Sequence, residues 1–309
     1  LGNGQAAWHG EGVVTEGTLP AREAFERANA LFTVEKRELS YPVWPDGDTH
    51  LPHIDQPTGT FGVVRTDTQA LLGVVSKQYE IVQNDSLLRM AEFIREEVDM
   101  DCVIVLSDGA KVCFTATLRG AETDIVPGDT VKRRIVGYLG HDGKTGCGAM
   151  FTNIRVVCQN TLTAALSESG AHSSITHKNG ANNNFDQLIN SIDVARQDFV
   201  TECDLMREFS RFSITNSQFN DFVDEVYNIN EGDVFRKRDK ITAAMNRGYG
   251  VEFNPGTLWT AVNAVTQVET STRNTTRAKG ASQFARGTFG MGAQISKRAF
   301  SVARDLVTA

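Results

Sequence analysis

Long apolar runs are missing from this 309-residue chain. No stretch of about 18 consecutive apolar residues occurs, so the sequence offers no candidate membrane helix. Cysteine is scarce: Cys102, Cys113, Cys147, Cys158 and Cys203 are odd in number and form no CxxC pair, which argues against a disulfide framework or a zinc knuckle. Their apolar surroundings fit small buried hydrophobes in a reducing cytoplasm, with Cys147 in "KTGCGAM" expected nearest the surface. The six histidines are scattered and never take the spacing of helical zinc ligands, so neither a metal nor another cofactor is implied. The opening "LGNGQAAWHGEG" lacks the basic and apolar regions of a secretory signal. What remains, 40% hydrophobic and 22% charged, is ordinary globular composition, long enough for one large domain or two modest ones.

One further absence is local. The net charge is −7, yet residues 271–304 contain no acid and seven bases: Arg273, Arg277, Lys279, Arg286, Lys297, Arg298 and Arg304. The rest of the chain therefore carries the balance, −14. An acidic body with a basic tail is the strongest compositional asymmetry here.

The pattern along the chain predicts an α+β fold: a mostly antiparallel sheet core with packed helices, followed by a helical C-terminal region. Residues 1–57 read as a loop-rich segment with one helix in "TLPAREAFERANA", ahead of a Pro- and Asp-crowded loop. Residues 58–166 read as the core, in the order β-β-α-β-β-β-β-α. "TFGVVRTD" and "LLGVVSKQ" flank a hairpin turn, and Asp108–Gly109 and Asp142–Gly143 supply two more. Between them, "NDSLLRMAEFIREEVDM" has helical period, with Leu87, Leu88, Ala91, Ile94 and Val98 on one face. Residues 167–184 are polar and small, a linker or loop. Residues 185–270 are helical, with stripes such as Leu188, Ile192, Phe199, Cys203 and Met206, and Trp259 on an apolar face. Residues 271–309 read as a basic, glycine-rich arm.

Candidate chemistry is thin. In "NIRVVCQNTLTAAL" (153–166) Cys158 stands near an expected helix start at Asn160, but it lies on the apolar strand face with no nearby histidine. The stretch reads as a strand-to-helix corner rather than a nucleophile site. "GYLGHDGKT" (137–145) approaches a phosphate-binding loop, yet Gly137 and Gly143 are one residue too far apart and no helix follows, so a hairpin turn is expected. His9, His50, His53, Asp46, Asp48 and Asp55 could gather round a divalent ion, without a ligand spacing that points to one. No catalytic constellation emerges.

Four motifs occur in an order that resembles a known family: "AWHGEG", "RTDTQALLGVVSKQYEIVQN", "NIRVVCQNTLTAAL" and "TLWTAVNAVTQV". The chain is similar over almost its whole length to a family of phage- and plasmid-encoded proteins catalogued as a domain of unknown function, of the 932 type. That resemblance implies a mobile-element setting and a bacterial cytoplasm, and brings no catalytic residues. The sheet core is also similar to that of single-strand annealing proteins, an analogy of fold alone.

The expected activity is therefore binding of single-stranded DNA, with recombination or annealing as the context and homo-oligomer formation compatible with it. Phosphates would be met by Lys132, Arg133 and Arg134 in "KRRIVGY", by Arg155, and by Arg273, Arg277, Lys279, Arg286, Lys297 and Arg298, interleaved with Phe284, Phe289 and Phe300. "RKRDK" (236–240) is a further cluster, and Arg65 is expected to pair with Asp67. The alternative is a phage structural or assembly protein, located in the virion, or a host-directed interaction protein.

Overall fold

A computed structural model describes residues 2–3, 14–15, 19–44, 53–156, 160–162, 172–175, 185–230, 233, 235–271 and 287–308. Two dipeptide strands, β1 (Gly2–Asn3) and β2 (Val14–Thr15), pair in parallel. They precede helix α1 (Ala21–Arg27), whose buried Phe25 sets it on the core.

The next element departs from expectation. The segment read as a loop holds strand β3 (Val34–Val43), which pairs antiparallel with β4 (Ile54–Arg65), and β4 pairs with β5 (Leu71–Val75) across the expected turn at 66–70. β4 begins before the boundary drawn at residue 57. Apolar alternation does not mark these two strands, because their distal halves are exposed on both faces.

Helix α2 (Asn84–Phe93) follows with Leu87, Leu88 and Ala91 buried, as its period predicts. It ends early: Val98, expected on its apolar face, opens strand β6 (Val98–Leu106). A single 3-10 turn at Ser107–Gly109 leads into β7 (Lys111–Val126), then β8 (Asp129–Gly140) and β9 (Cys147–Arg155), each antiparallel to the one before.

The stretch 153–166 is corrected. Residues Asn160–Leu162 form strand β10, which turns back on β9 with Asn160 opposite Arg155. Asn160 is thus a ladder residue, not a helix cap, and Cys158 lies outside the described residues. The polar segment 167–184 also contains a strand, β11 (His172–Ile175), which pairs with the other end of β9. The sheet runs β10-β9-β8-β7-β6, with β10 and β11 sharing one edge of β9.

The remaining helices stand where periodicity put them: α3 (Phe185–Arg211), α4 (Asn216–Tyr227), α5 (Arg238–Arg247) and α6 (Leu258–Ser271). Thr215 caps α4 through a reciprocal bond pattern with Gln218, and Gly248 ends α5. The last element corrects the picture of a basic arm. Met291–Thr308 is an 18-residue helix, α7, which buries Ala299, Phe300 and Ala303 against the bundle, with the Phe300 ring edge-on to Phe209 at 5.1 Å.

Alternation divides the large sheet. One face, with Val112, Phe114 and Ala116 of β7 and Val131, Ile135 and Leu139 of β8, belongs to the main core shared with α1, α2, α3 and α6. The other face holds a smaller cluster of Leu106, Cys113, Val136 and Met150, with the Phe289 ring 5.4 Å from Tyr138.

Candidate nucleic-acid interface

Strand parity decides which basic side chains on β8 and β9 face solvent. Asp129, Val131, Arg133 and Ile135 alternate onto the helix-covered face, so Arg133 points into the core, where it is 0% exposed. Its Nη1 donates to Glu202 of α3 at 2.7 Å and to the Asn153 amide oxygen at 3.0 Å, while the Asn153 amide also donates to Glu202. Burial pushes the Glu202 carboxyl above the usual carboxylate range, against the opposing pull of Arg133 and the Asn153 amide. The group sits between sheet and helix and ties α3 to β8 and β9.

Arg155, at the end of β9, is held in the same way. It is 2% exposed and grips Asp129 with two parallel bonds, Nε to Oδ1 at 2.5 Å and Nη2 to Oδ2 at 2.6 Å. The remaining donors reach the carbonyls of Tyr249 and Gly250, both at 2.9 Å, and the Trp259 indole N–H donates to Asp129 at 2.8 Å. Gly250 has φ +73°, and a Cβ there would come within 2.5 Å of the Arg155 guanidinium, so both conformation and space require glycine. This cluster welds the sheet's edge to α5 and α6. Arg133 and Arg155 are thus inside the protein, where no phosphate can meet them, and neither belongs to a nucleic-acid surface.

Lys132 and Arg134 alternate to the opposite face, and each finds a carboxylate of this chain. Lys132 lies 2.7 Å from Glu122, its cross-strand neighbour, and Arg134 lies 2.8 Å from Asp101, which also accepts from Thr117. In "RKRDK", Lys237 pairs with buried Glu269 and Arg238 with Asp224. Arg65 pairs with Asp67 at 2.6 Å, as expected. Phe300 is a core ring and Phe289 packs on Tyr138, so neither offers a face to a base.

The tail differs from the core. Lys297 on α7 is exposed and has no carboxylate partner among the described residues, and Arg298 beside it bonds the Asn228 amide rather than an acid. Arg273, Arg277, Lys279, Arg286 and Phe284 lie outside the described residues.

The other candidate chemistries resolve readily. Described thiols are buried: burial pushes Cys113, Cys147 and Cys203 up to about 12, and Cys102 upward as well, so none is poised as a thiolate. Cys147, expected near the surface, is 2% exposed because β9 is covered along its length. "GHDGKTG" is the β8–β9 turn. Asp142 accepts from the backbone of Lys144 and Thr145 and from the Thr145 hydroxyl, filling with its own carboxylate the place where a phosphate would sit. Partial burial works against that carboxylate, but these bonds and Lys111 hold it below its ordinary range. His53 lies 3.4 Å from Asp55, while His9, Asp46, Asp48 and His50 fall outside the described residues. Among the described residues no group of three or more His, Cys, Asp or Glu could hold a metal ion.

A family model described as a domain of unknown function, DUF932, matches residues 71–288. The chain belongs to this family. The DUF932 span runs from β5 through the large sheet and α3–α6 into the acid-free segment, and leaves out α1, β3, β4 and α7. Neither a curated protein nor a solved structure matches the chain. No helix among the described residues is long and apolar enough to cross a membrane.

Proposed function

We propose that this DUF932 protein binds single-stranded DNA through its acid-free segment, residues 271–304, in the setting of a phage or plasmid, with the sheet and helices serving as scaffold. The observation that carries the reading is a partition of charge. The basic residues of β8 and β9 are matched one by one with the chain's own carboxylates, whereas Lys297 and Arg298 continue a run of bases with no acid among them. Cations already neutralised have little left to offer a polyanion, while an unmatched cluster releases counterions when it meets phosphates. The acidity of the remaining chain repels a duplex laid broadly across the surface and favours a narrow, local contact.

The test is fluorescence anisotropy of labelled oligo-dT titrated with the full chain over a series of salt concentrations. Each phosphate neutralised on a single strand adds roughly 0.7 to the slope of log affinity against log salt. Changing the four bases Arg273, Arg277, Lys279 and Arg286 to Gln should therefore flatten that slope by about 3. A Lys132→Gln, Arg134→Gln variant should keep the parent slope. Absence of binding at low salt, or an unchanged slope in the neutralised tail variant, refutes the proposal. It then leaves the assembly or host-directed reading.

A further inference from the structure

We propose that two copies of this chain associate face to face through the outer face of the β3-β4-β5 sheet. The ladder assigns that face. Val43 stands directly opposite Ile54 and Tyr41 opposite Gln56, so these four share one side of the ribbon, and Leu39 and Arg37 follow on the same side by alternation. Gly62 carries the row onto β5. Its place for a side chain is filled by Leu71 and Leu39, whose methyls would lie 2.7 and 3.1 Å from a Cβ there, and its cross-strand partner is Val74. Leu39, Tyr41, Val43, Ile54, Leu71 and Val74 therefore form a continuous apolar stripe.

That stripe faces solvent. Tyr41 is 52% exposed, Ile54 61%, Leu71 56% and Val74 55%, all on one small sheet. Scattered single hydrophobes on a surface are ordinary, but a contiguous row along a sheet face marks an interaction site. A two-stranded ribbon open on both faces is also marginal by itself, and gains by being covered.

Three features select a second copy as the cover. Strand addition at the edges is disfavoured, because Pro42 on β3 and Pro57 on β4 interrupt the row of backbone donors that an added strand needs, which leaves the face as the route in. The face is not cationic: Glu35 and Arg37 lie beside the stripe as one acid and one base, so it does not suit nucleic acid or an anionic surface. Under a two-fold axis this pair is self-complementary, since Arg37 of one copy can approach the partner subunit's Glu35 while stripe packs on stripe. Sheet faces joined this way give an apolar centre with a polar rim of Gln56, Gln69, Glu35 and Arg37, the anatomy of a standard interface.

The test uses the full chain without nucleic acid, so its outcome is independent of the DNA reading. Sedimentation equilibrium of the parent should give twice the 33.8 kDa chain mass at micromolar concentration. Ile54→Lys should weaken the dimer by about thirtyfold or more, with an unchanged circular dichroism spectrum. Val74→Lys, on a different strand, should do the same, so misfolding of either variant leaves the other to decide. A parent of 33.8 kDa throughout the concentration range, or a dimer that survives both substitutions, overturns the proposal.

Discussion

Asp129 and Arg155 stand at the start of β8 and the end of β9, joined by a two-pronged ion pair that is inaccessible to solvent. Arg155 is the residue that the sequence most strongly suggests as a ligand contact, and its role is instead to hold the sheet to the loop before α6. Removing one member of a buried pair strands the other without compensation, at a cost of about 3–5 kcal/mol. Asp129→Asn should therefore lower the unfolding free energy by an amount of that order in urea titrations. A variant within about 1 kcal/mol of the parent, the range of an exposed pair, would show that Arg155 is not structurally held.

Arg133 and Glu202 make a second test, because here the desolvation is more severe. Both are 0% exposed, and Arg133 Nε and Nη2 and Glu202 Oε1 have no hydrogen-bond partner. Such a pair is costly to break yet dispensable as a pair. Glu202→Leu alone should destabilise by about 3 kcal/mol or more, and the double change Arg133→Met, Glu202→Leu should recover most of that loss. Additive losses in the double-mutant cycle would contradict the pairing.

The thiols give a prediction in reactivity. Cys113, Cys147 and Cys203, pushed up to about 12, hold essentially no thiolate at pH 8, and burial shields them as well. Brief iodoacetamide treatment of the native protein followed by peptide mass mapping should leave Cys102, Cys113, Cys147 and Cys203 unmodified, with labelling once the chain is unfolded in urea. Rapid native labelling of any of the four would contradict the burial described.

Much of this fold was legible because its elements bury one face. The period of Leu87, Leu88 and Ala91, the hairpin turn at 66–70 and the stripe of Ile192, Phe199 and Met206 all announced themselves through apolar spacing. β3 did not, since its outer half meets solvent on both sides, and β10 was hidden because an asparagine after a strand serves equally as ladder residue or cap. In α7 the density of bases obscured a helical signal that was present, Ala299, Phe300, Val302 and Ala303 in "KRAFSVARDLV".

The candidate site was less legible for a different reason. Charge is visible in sequence, but its compensation is not: Glu202 is 69 positions from Arg133, and Asp129 is 26 from Arg155. One partner could have been found, because Glu122 faces Lys132 across the β7–β8 hairpin, whose turn the sequence allows to be guessed. The parity of β8 could also have shown that Arg133 and Lys132 point to opposite faces.

Ultraviolet cross-linking of the full chain to oligo-dT, with mass mapping of the linked peptides, tests the central claim most directly. The account predicts links within residues 271–304 and none to the peptides carrying Lys132–Arg134 or Arg155. Links concentrated on β8 and β9, or no linkage at low salt, would contradict it.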